Sequence, residues 1–146
     1  MKTAHRIELL RLARMVEALS WDSAAVVILN ENNEALILQR GHTAPWMPNK
    51  WNLPGGTPEE GESSKQVALR ETKEEVALTP SHMKFVGAVR GEDYVLHLYM
   101  ARGYSGTLHL DTSENSDYAW VSVDGLDNYH FIPGLKDAIR AAMLLA

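Results

Sequence analysis

The chain has 146 residues, a length that suits one domain over residues 1–146, and its apolar and charged fractions of 45% and 23% are ordinary for a globular protein. A formal net charge of −5 argues against nucleic acid as a partner, because surfaces that bind it are normally basic. The sequence has no cysteine, which excludes disulfide bonds and thiolate catalysis and leads us to expect a cytoplasmic location.

The first 20 residues are predicted to form an N-terminal helical extension. Residues 3–19 place apolar side chains at helical spacing, among them Leu9, Leu12, Val16 and Leu19. Charged residues interrupt this segment, so it predicts neither a signal peptide nor a membrane span. Its wide apolar face indicates packing against its own domain or a contact in a homodimer, and the sequence does not separate the two.

The rest of the chain predicts two groups of strands on either side of a central helix. Before residue 55, strands at 21–29 and 35–40 form a hairpin around a turn at 30–33, followed by a loop at 41–50 and a short strand at 51–53. After residue 78, the predicted elements are strands at 83–90, 94–101, 107–110 and 118–121, a polar loop at 111–117, a short helical turn at 124–129 and a helix at 134–145. Helices before, within and after mostly antiparallel strands predict an α/β fold of the α/β/α sandwich type.

Residues 55–78 predict a glycine-rich loop that leads into a helix with three carboxylates near its end. Glu71, Glu74 and Glu75 stand at positions i, i+3 and i+4 and therefore share one side of the helix. The residues with core-like spacing on the other side are Leu69, Thr72 and Val76. We therefore expect the three acids to point away from the core.

Three crowded carboxylates resist joint ionisation unless a cation lies among them. Magnesium prefers carboxylate and carbonyl oxygens, and the glycine-rich loop offers backbone groups that can approach closely because no side chain intervenes. The alternative is a solvated helix rich in Glu and Lys after an ordinary turn. The loop, the acid spacing and Arg70 together favour the metal site.

The segment resembles the signature of a known family. The residues in the register of the Nudix box, G-x5-E-x7-R-E-U-x-E-E-x-G-U, are Gly56, Glu62, Arg70, Glu71, Glu74, Glu75 and Leu78. Thr72 departs from the usual aliphatic at its position but keeps a branched side chain. Ala77 replaces the second glycine, which puts the exit from the helix in doubt because glycine most easily takes a left-handed conformation.

The resemblance to Nudix hydrolases, in particular MutT-like members, covers about residue 23 to the C-terminus and implies their α/β/α sandwich with mixed and antiparallel strands. It implies metal-dependent hydrolysis of a diphosphate bond in a nucleoside diphosphate linked to another moiety, with Mg²⁺ or Mn²⁺. The substrate expected is a (d)NTP or a nucleotide conjugate of the nucleotide pool. The resemblance makes Glu71, Glu74, Glu75 and the carbonyl of Gly55 metal ligands, and Arg70 with Glu62 a supporting pair.

The resemblance also points to residues outside the helix. Glu114 lies six residues before Trp120, where family members carry a further metal-binding glutamate, and we favour this role over the alternative of a solvated loop acid. The rival acids are Asp111, Asp117, Glu92 and Asp93. Whether Glu71, Glu74 or Glu114 accepts the proton of the attacking water stays open.

The predicted substrate contacts lie before and at the start of the box. The same resemblance implies that Arg40 touches phosphate, that Asn52 reads the base, and that Trp51 and Gly56 contact the substrate. The alternatives are that Arg40 is a surface residue, that Trp51 belongs to the core and that Asn52 caps a turn.

Other members of the fold remain as alternatives. They are hydrolases of nucleotide sugars, ADP-ribose or dinucleoside polyphosphates, and a non-catalytic nucleotide sensor. Sensors usually lose box carboxylates, which are all present here, and the isomerase branch relies on a cysteine that this chain lacks. We therefore expect an enzyme with a small-molecule nucleotide as its substrate and no membrane partner.

Overall fold

The computed structural model describes residues 22–91 and 94–146. Its strands are β1 (Asp22–Leu29), β2 (Ala35–Arg40), β3 (Trp51–Asn52), β4 (Gly55–Gly56), β5 (Thr79–Pro80), β6 (Lys84–Arg90), β7 (Val95–Arg102), β8 (Tyr104–Ser105) and β9 (Asn115–Val121). Its helices are α1 (Ser64–Val76), a 3₁₀ helix (Val123–Asn128) and α2 (Leu135–Leu145). The predicted N-terminal helix lies outside the described residues, as do Glu92 and Asp93.

The centre of the fold is the mixed sheet around β1. Its run Ala24-Ala25-Val26-Val27-Ile28 is almost fully buried, as expected for a strand covered on both faces. β1 pairs parallel with β7 and antiparallel with β2, and the sheet order is β3-β2-β1-β7-β6. β4 pairs with β1 and β9 with β2, which extends the sheet at two points.

Alternate side chains of β1 belong to two separate cores, one on each side of the sheet. Val27 packs in a cluster with Ile139 of α2, whereas Val26 packs in a cluster with Val67 and Val76 of α1. The sheet therefore lies between two helical layers. This arrangement confirms the predicted α/β/α sandwich with mixed and antiparallel strands.

Helix α1 begins and ends with specific backbone contacts. At its start, Ser63 and Gln66 form a capping box. At its end, Ala77 takes the left-handed conformation with φ 62° and donates its N–H to the carbonyl of Lys73. The alanine thus makes the same exit that a glycine would make, and the missing glycine does not extend or distort the helix.

The core face of α1 is close to the one predicted. Thr72 and Val76 are buried as expected, whereas Leu69 is only partly buried and Val67 and Ala68 take its place at the core. The hydroxyl oxygen of Thr72 is enclosed without a hydrogen-bond partner among the described residues.

The strand predicted at 107–110 is wrong. This segment is extended but pairs with the end of α1 rather than with the sheet: His109 N donates to the Val76 carbonyl and Asp111 N to the Glu75 carbonyl. Leu108 and Leu110 pack against the α1-side core, which explains their alternation. The segment therefore satisfies carbonyls that a helix end leaves free.

Two differences from the prediction lie next to the acids of α1 and to Glu114. β9 starts at Asn115, three residues earlier than expected, so the loop before it ends at Glu114. Gly55 and Gly56, predicted as loop, form the short strand β4. In the part of the chain that the structure describes, no helix combines the length and hydrophobicity needed to cross a membrane.

The left-handed Ala77 leads to a stability prediction. Ala77→Gly should stabilise the protein by up to about 1 kcal/mol, because glycine adopts this conformation without a Cβ clash. Urea unfolding followed by circular dichroism measures the change. Ala77→Val is the opposing variant and should destabilise, and a Gly variant no more stable than wild type would contradict the account of the helix end.

Candidate active site

The acidic face of α1 borders a cavity of about 570 Å³. The start of β1, the glycines of β4, the loop before β9 and the start of α2 complete its walls. The predicted site residues that line it are Arg40, Asn52, Gly55, Gly56, Arg70, Glu71, Glu74, Glu75 and Glu114. The fold thus brings together residues that are up to 74 positions apart in the sequence, at Arg40 and Glu114.

Two glycines allow the backbone to approach the carboxylates. A Cβ on Gly55 would overlap the carbonyl oxygen of Ala24 and the Cα of Ala25, and a Cβ on Gly56 would overlap the Glu71 carboxylate. Without side chains, β4 lies flat between β1 and α1. Gly55 N donates a hydrogen bond of 3.0 Å to Glu75 Oε1.

Arg70 connects the box loop to the acids of α1. Its Nε and one terminal nitrogen form a bidentate pair with Glu62, at 2.7 and 2.9 Å, and it also donates to the Thr57 carbonyl at 3.0 Å. Its other terminal nitrogen lies 3.2 Å from both Glu71 and Glu74. The Arg70 guanidinium lowers the pKa of the Glu62 carboxyl, and the acids around Arg70 raise its own pKa.

The three acids of α1 differ in their surroundings. The Glu74 side chain is 56% exposed, whereas that of Glu71 is 17% exposed. Burial raises the pKa of Glu71, and burial together with the charges of Glu71, Glu114 and Glu74 raises the pKa of Glu75 well above its ordinary value. All three acids line the cavity, and none of them belongs to the two hydrophobic cores, in line with the expectation that they point away from the core. Glu75 differs from the other two in accepting the hydrogen bond from Gly55 N.

Arg40 lies in the cavity against an aromatic residue that the sequence did not single out. Its Nε donates to the Trp46 carbonyl at 2.7 Å, and its guanidinium lies 5.4 Å from the centre of the Trp46 ring. Trp46 also contacts Tyr94 edge to face, with ring centres 5.9 Å apart, and both rings line the cavity. The loop at 41–50 gives no periodic signal from which the position of Trp46 could have been predicted.

Asn52 and Trp51 are placed differently from one another. Asn52 lines the cavity, and its Oδ1 accepts a 2.8 Å hydrogen bond from the N–H of the next residue, Leu53. Trp51 is not among the residues that line the cavity in the described part of the chain. Its ring packs on Tyr129 with ring centres 4.9 Å apart, next to the α2-side core, as the core alternative supposed.

Glu114 lines the cavity, and its charge adds to the burial that raises the pKa values of both Glu71 and Glu75. Its carbonyl accepts a 3.0 Å hydrogen bond from Gly41 N, which ties the loop before β9 to the end of β2. Of the rival acids, Asp111 also lines the cavity. Asp117 instead faces Gln39 within the sheet, on an exposed part of β9.

The sequence is similar to those of known proteins. The model of the NUDIX domain family matches residues 20–141. The 8-oxo-dGTP diphosphatase of Escherichia coli is 32% identical over 120 residues, which cover 80% of this chain and 91% of that protein. The putative 8-oxo-dGTP diphosphatase of Bacillus subtilis is 29% identical over 80% of this chain and 76% of its own length.

The chain belongs to the Nudix family.

The fold agrees with that of solved Nudix proteins. The crystal structure of the MutT protein from Methanosarcina mazei Go1 superposes with a TM-score of 0.73 at 24% identity, and the match covers 85% of this chain and 92% of that one. As a Nudix hydrolase, this protein is a pyrophosphohydrolase that cleaves diphosphate bonds. Enzymes of the family generally need a divalent metal ion and act on small nucleotides.

The Nudix box of this chain offers a donor set that fits such an ion. As the side chains stand, no three His, Cys, Asp or Glu groups among the described residues converge closely enough to bind metal, and Arg70 lies between Glu71 and Glu74. The suitability of these residues for a metal ion therefore depends on the type of their donor atoms and on their charge. The donors are all oxygens, as hard cations prefer. Burial and, after it, the charges of neighbouring acids raise the pKa values of Glu71 and Glu75, and a cation would offset both effects.

The raised pKa of Glu75 in this Nudix site predicts how stability depends on pH. In a chelating buffer, the folded state should lose stability as the pH rises through this pKa, because the ionised form is the disfavoured one. Glu75→Gln cannot ionise and keeps the acceptor for Gly55 N. Its Tm should therefore exceed that of wild type by about 2 °C or more at pH 8, with the difference vanishing near pH 4.

Thermal unfolding between pH 4 and 8 tests this prediction. Glu31→Gln, at an exposed turn, is the matched control and should follow the wild type throughout. A Glu75→Gln variant that is less stable than wild type at pH 8 without metal would contradict the assignment.

Proposed function

We propose that this enzyme hydrolyses nucleoside triphosphates or closely related nucleotide conjugates as a housecleaning enzyme of the nucleotide pool. The observation that carries the proposal is a single cavity that combines several carboxylates, two arginines and two aromatic rings. Its volume of about 570 Å³ lies within the range typical of small-molecule sites. The two similar diphosphatases, whose names give 8-oxo-dGTP as substrate, support the triphosphate class.

In this proposal, Glu71, Glu74, Glu75, Glu114 and the carbonyl of Gly55 hold Mg²⁺ or Mn²⁺. The ion, when bound, polarises phosphoryl oxygens and lowers the pKa of a water molecule. Glu71, Glu74 and Glu114 are the candidates to accept the proton of the attacking water, and each lines the cavity.

Two arginines have separate proposed tasks. Arg70 orients the acids, since its bidentate pair with Glu62 and its bond to Thr57 fix the guanidinium against Glu71 and Glu74. Arg40 contacts phosphate, and its stacking on Trp46 holds the guanidinium at the cavity wall. Gly56 contacts the substrate through its backbone next to Glu71. Any side chain at this position would overlap the Glu71 carboxylate.

We also propose that residues 1–146 form one Nudix domain with residues 1–20 as an extension. The family match from residue 20 supports this boundary. The apolar residues of the extension would pack on the domain or on a second copy in a homodimer. A cytoplasmic location is consistent with the absence of cysteine and with a nucleotide substrate.

A substrate screen tests the proposed function. The purified protein should release pyrophosphate or phosphate from nucleoside triphosphates or oxidised deoxynucleotides in the presence of Mg²⁺ or Mn²⁺. Nucleotide sugars, ADP-ribose and dinucleoside polyphosphates form the comparison set. Faster turnover of that set would assign the enzyme to another Nudix substrate class, and tight nucleotide binding without any turnover would favour a sensor.

The metal assignment predicts two graded losses of activity. Glu74→Gln should lower kcat by at least about 100-fold and weaken the Mg²⁺ dependence, because it removes an anionic ligand without changing shape. Glu114→Gln should lower kcat by at least about 10-fold in the same assay. Titration of activity with Mg²⁺ measures both effects, and Glu31→Gln should match the wild type.

The two variants report on different assignments. Near-normal kcat for Glu74→Gln would remove the α1 acids from the metal site. Unchanged rate and Mg²⁺ dependence for Glu114→Gln would return that residue to the role of a solvated loop acid.

A further inference from the structure

Asn115, which no part of the sequence pattern pointed to, lines the cavity with an unused carboxamide. The residue is only 6% exposed, yet its side chain makes no hydrogen bond with any described residue. The only fully enclosed side-chain polar atom without a partner in the described residues is Thr72 Oγ1. The Asn115 carboxamide therefore opens into the cavity rather than into the core.

The Asn115 carboxamide keeps its donor and its acceptor for whatever occupies the cavity. A leucine of similar size would fill the same space and offer neither group. Water or a ligand in the cavity can complete these hydrogen bonds. Polar groups placed in this way in mostly apolar pockets orient the ligands that bind there.

A β-bulge places Asn115 on this wall. Gln39 pairs with Asp117 but Arg40 pairs with Asn115, so Ser116 is the extra residue in β9. Partners across an antiparallel pair lie on the same face of the sheet, and bulges change which residue faces a given side. Because of the bulge, Asn115 rather than Ser116 lies opposite Arg40.

Backbone pairing with the end of β2 positions Asn115 at this point. Immediately before the bulged pair, Gly41 N donates to the Glu114 carbonyl at 3.0 Å, which continues the pairing between the two chain segments. The Asn115 side chain therefore starts from a defined position next to Arg40 and Glu114. A residue that selects a ligand by hydrogen bonds needs a defined position.

The surrounding walls suit a flat heteroaromatic ring. The Trp46 and Tyr94 rings line the cavity, as do the apolar side chains of Leu96 and Ile132. Arg40 has donors only, which suits phosphate, whereas a carboxamide offers a donor and an acceptor side by side, which suits the edge of a base. The other carboxamide of the cavity, Asn52, already uses its oxygen for Leu53 N.

We propose that Asn115 is a specificity-determining residue that pairs with the donor and acceptor edge of the nucleobase. This rests on the proposed function, in which the substrate is a nucleotide. Asn115→Leu keeps the size of the side chain and removes both hydrogen-bonding groups. It should lower the base preference, measured as the ratio of affinities or of kcat/KM between the best and the worst base, by about 10-fold or more.

Isothermal titration with the common nucleoside monophosphates, 8-oxo-dGMP and ribose 5-phosphate tests the proposal without turnover. The expected result is that wild type distinguishes the bases, that Asn115→Leu loses the distinction, and that affinity for ribose 5-phosphate stays the same. Asn115→Ala is the second variant in case the leucine disturbs packing, and circular dichroism verifies the fold of both. Asn128→Leu, at an exposed position in the 3₁₀ helix, is the matched control and should keep the wild-type preference.

Several results would overturn the proposal. Equal weakening of ribose 5-phosphate and the nucleotides would assign Asn115 to the sugar or phosphate, and an unchanged preference in both variants would remove it from the site. A wild type that turns over triphosphates without base preference overturns the role of Asn115 but leaves the proposed function in place. The opposite case is a protein that hydrolyses none of the triphosphates but binds bases selectively until Asn115→Leu abolishes the selectivity. That result would overturn the proposed function and support the role of Asn115.

Discussion

The repulsion between carboxylates on the last turns of α1 is the constraint around which the rest of the structure is arranged. Glu71, Glu74 and Glu75 lie on adjoining positions of one helix, and the fold adds Glu114 from a distant loop. Arg70 compensates part of this charge from one side, and the N–H of Gly55 does so from another. The remaining excess of negative charge is what a divalent cation, generally needed in this family, is suited to balance.

The cavity has two chemically different sides. The acids and the glycine backbone occupy the side formed by α1 and β4, whereas Arg40 and Trp46 come from the end of β2 and the loop after it. A diphosphate group is chemically suited to the first side, since hard cations prefer its oxygens. The aromatic and apolar residues are suited to the non-phosphate part of a substrate. Members of one fold can therefore share the bond they break and differ in the molecule that contains it.

The part of the site that follows from local periodicity could be predicted from the sequence. The positions of the acids on one side of α1 depend only on 3.6 residues per turn, and the glycines were identified by their need for close approach. The strand predicted at 107–110 failed because Leu108 and Leu110 alternate in any extended segment, whichever partner accepts its backbone hydrogen bonds. Trp46 and Asn115 could not be predicted, because their positions depend on an irregular loop and on a bulge that forms only between paired strands.

The backbone ties around the loop before β9 bear on how the enzyme could change over evolution. Asp111 N bonds to the Glu75 carbonyl and Gly41 N to the Glu114 carbonyl, so the spacing of the acids is kept by main-chain atoms common to all residues except proline. The side chains of the two donor residues, Gly41 and Asp111, can therefore vary while these main-chain hydrogen bonds remain. Selection can in this way alter the cavity wall at Asp111 and leave the spacing of the acids unaltered.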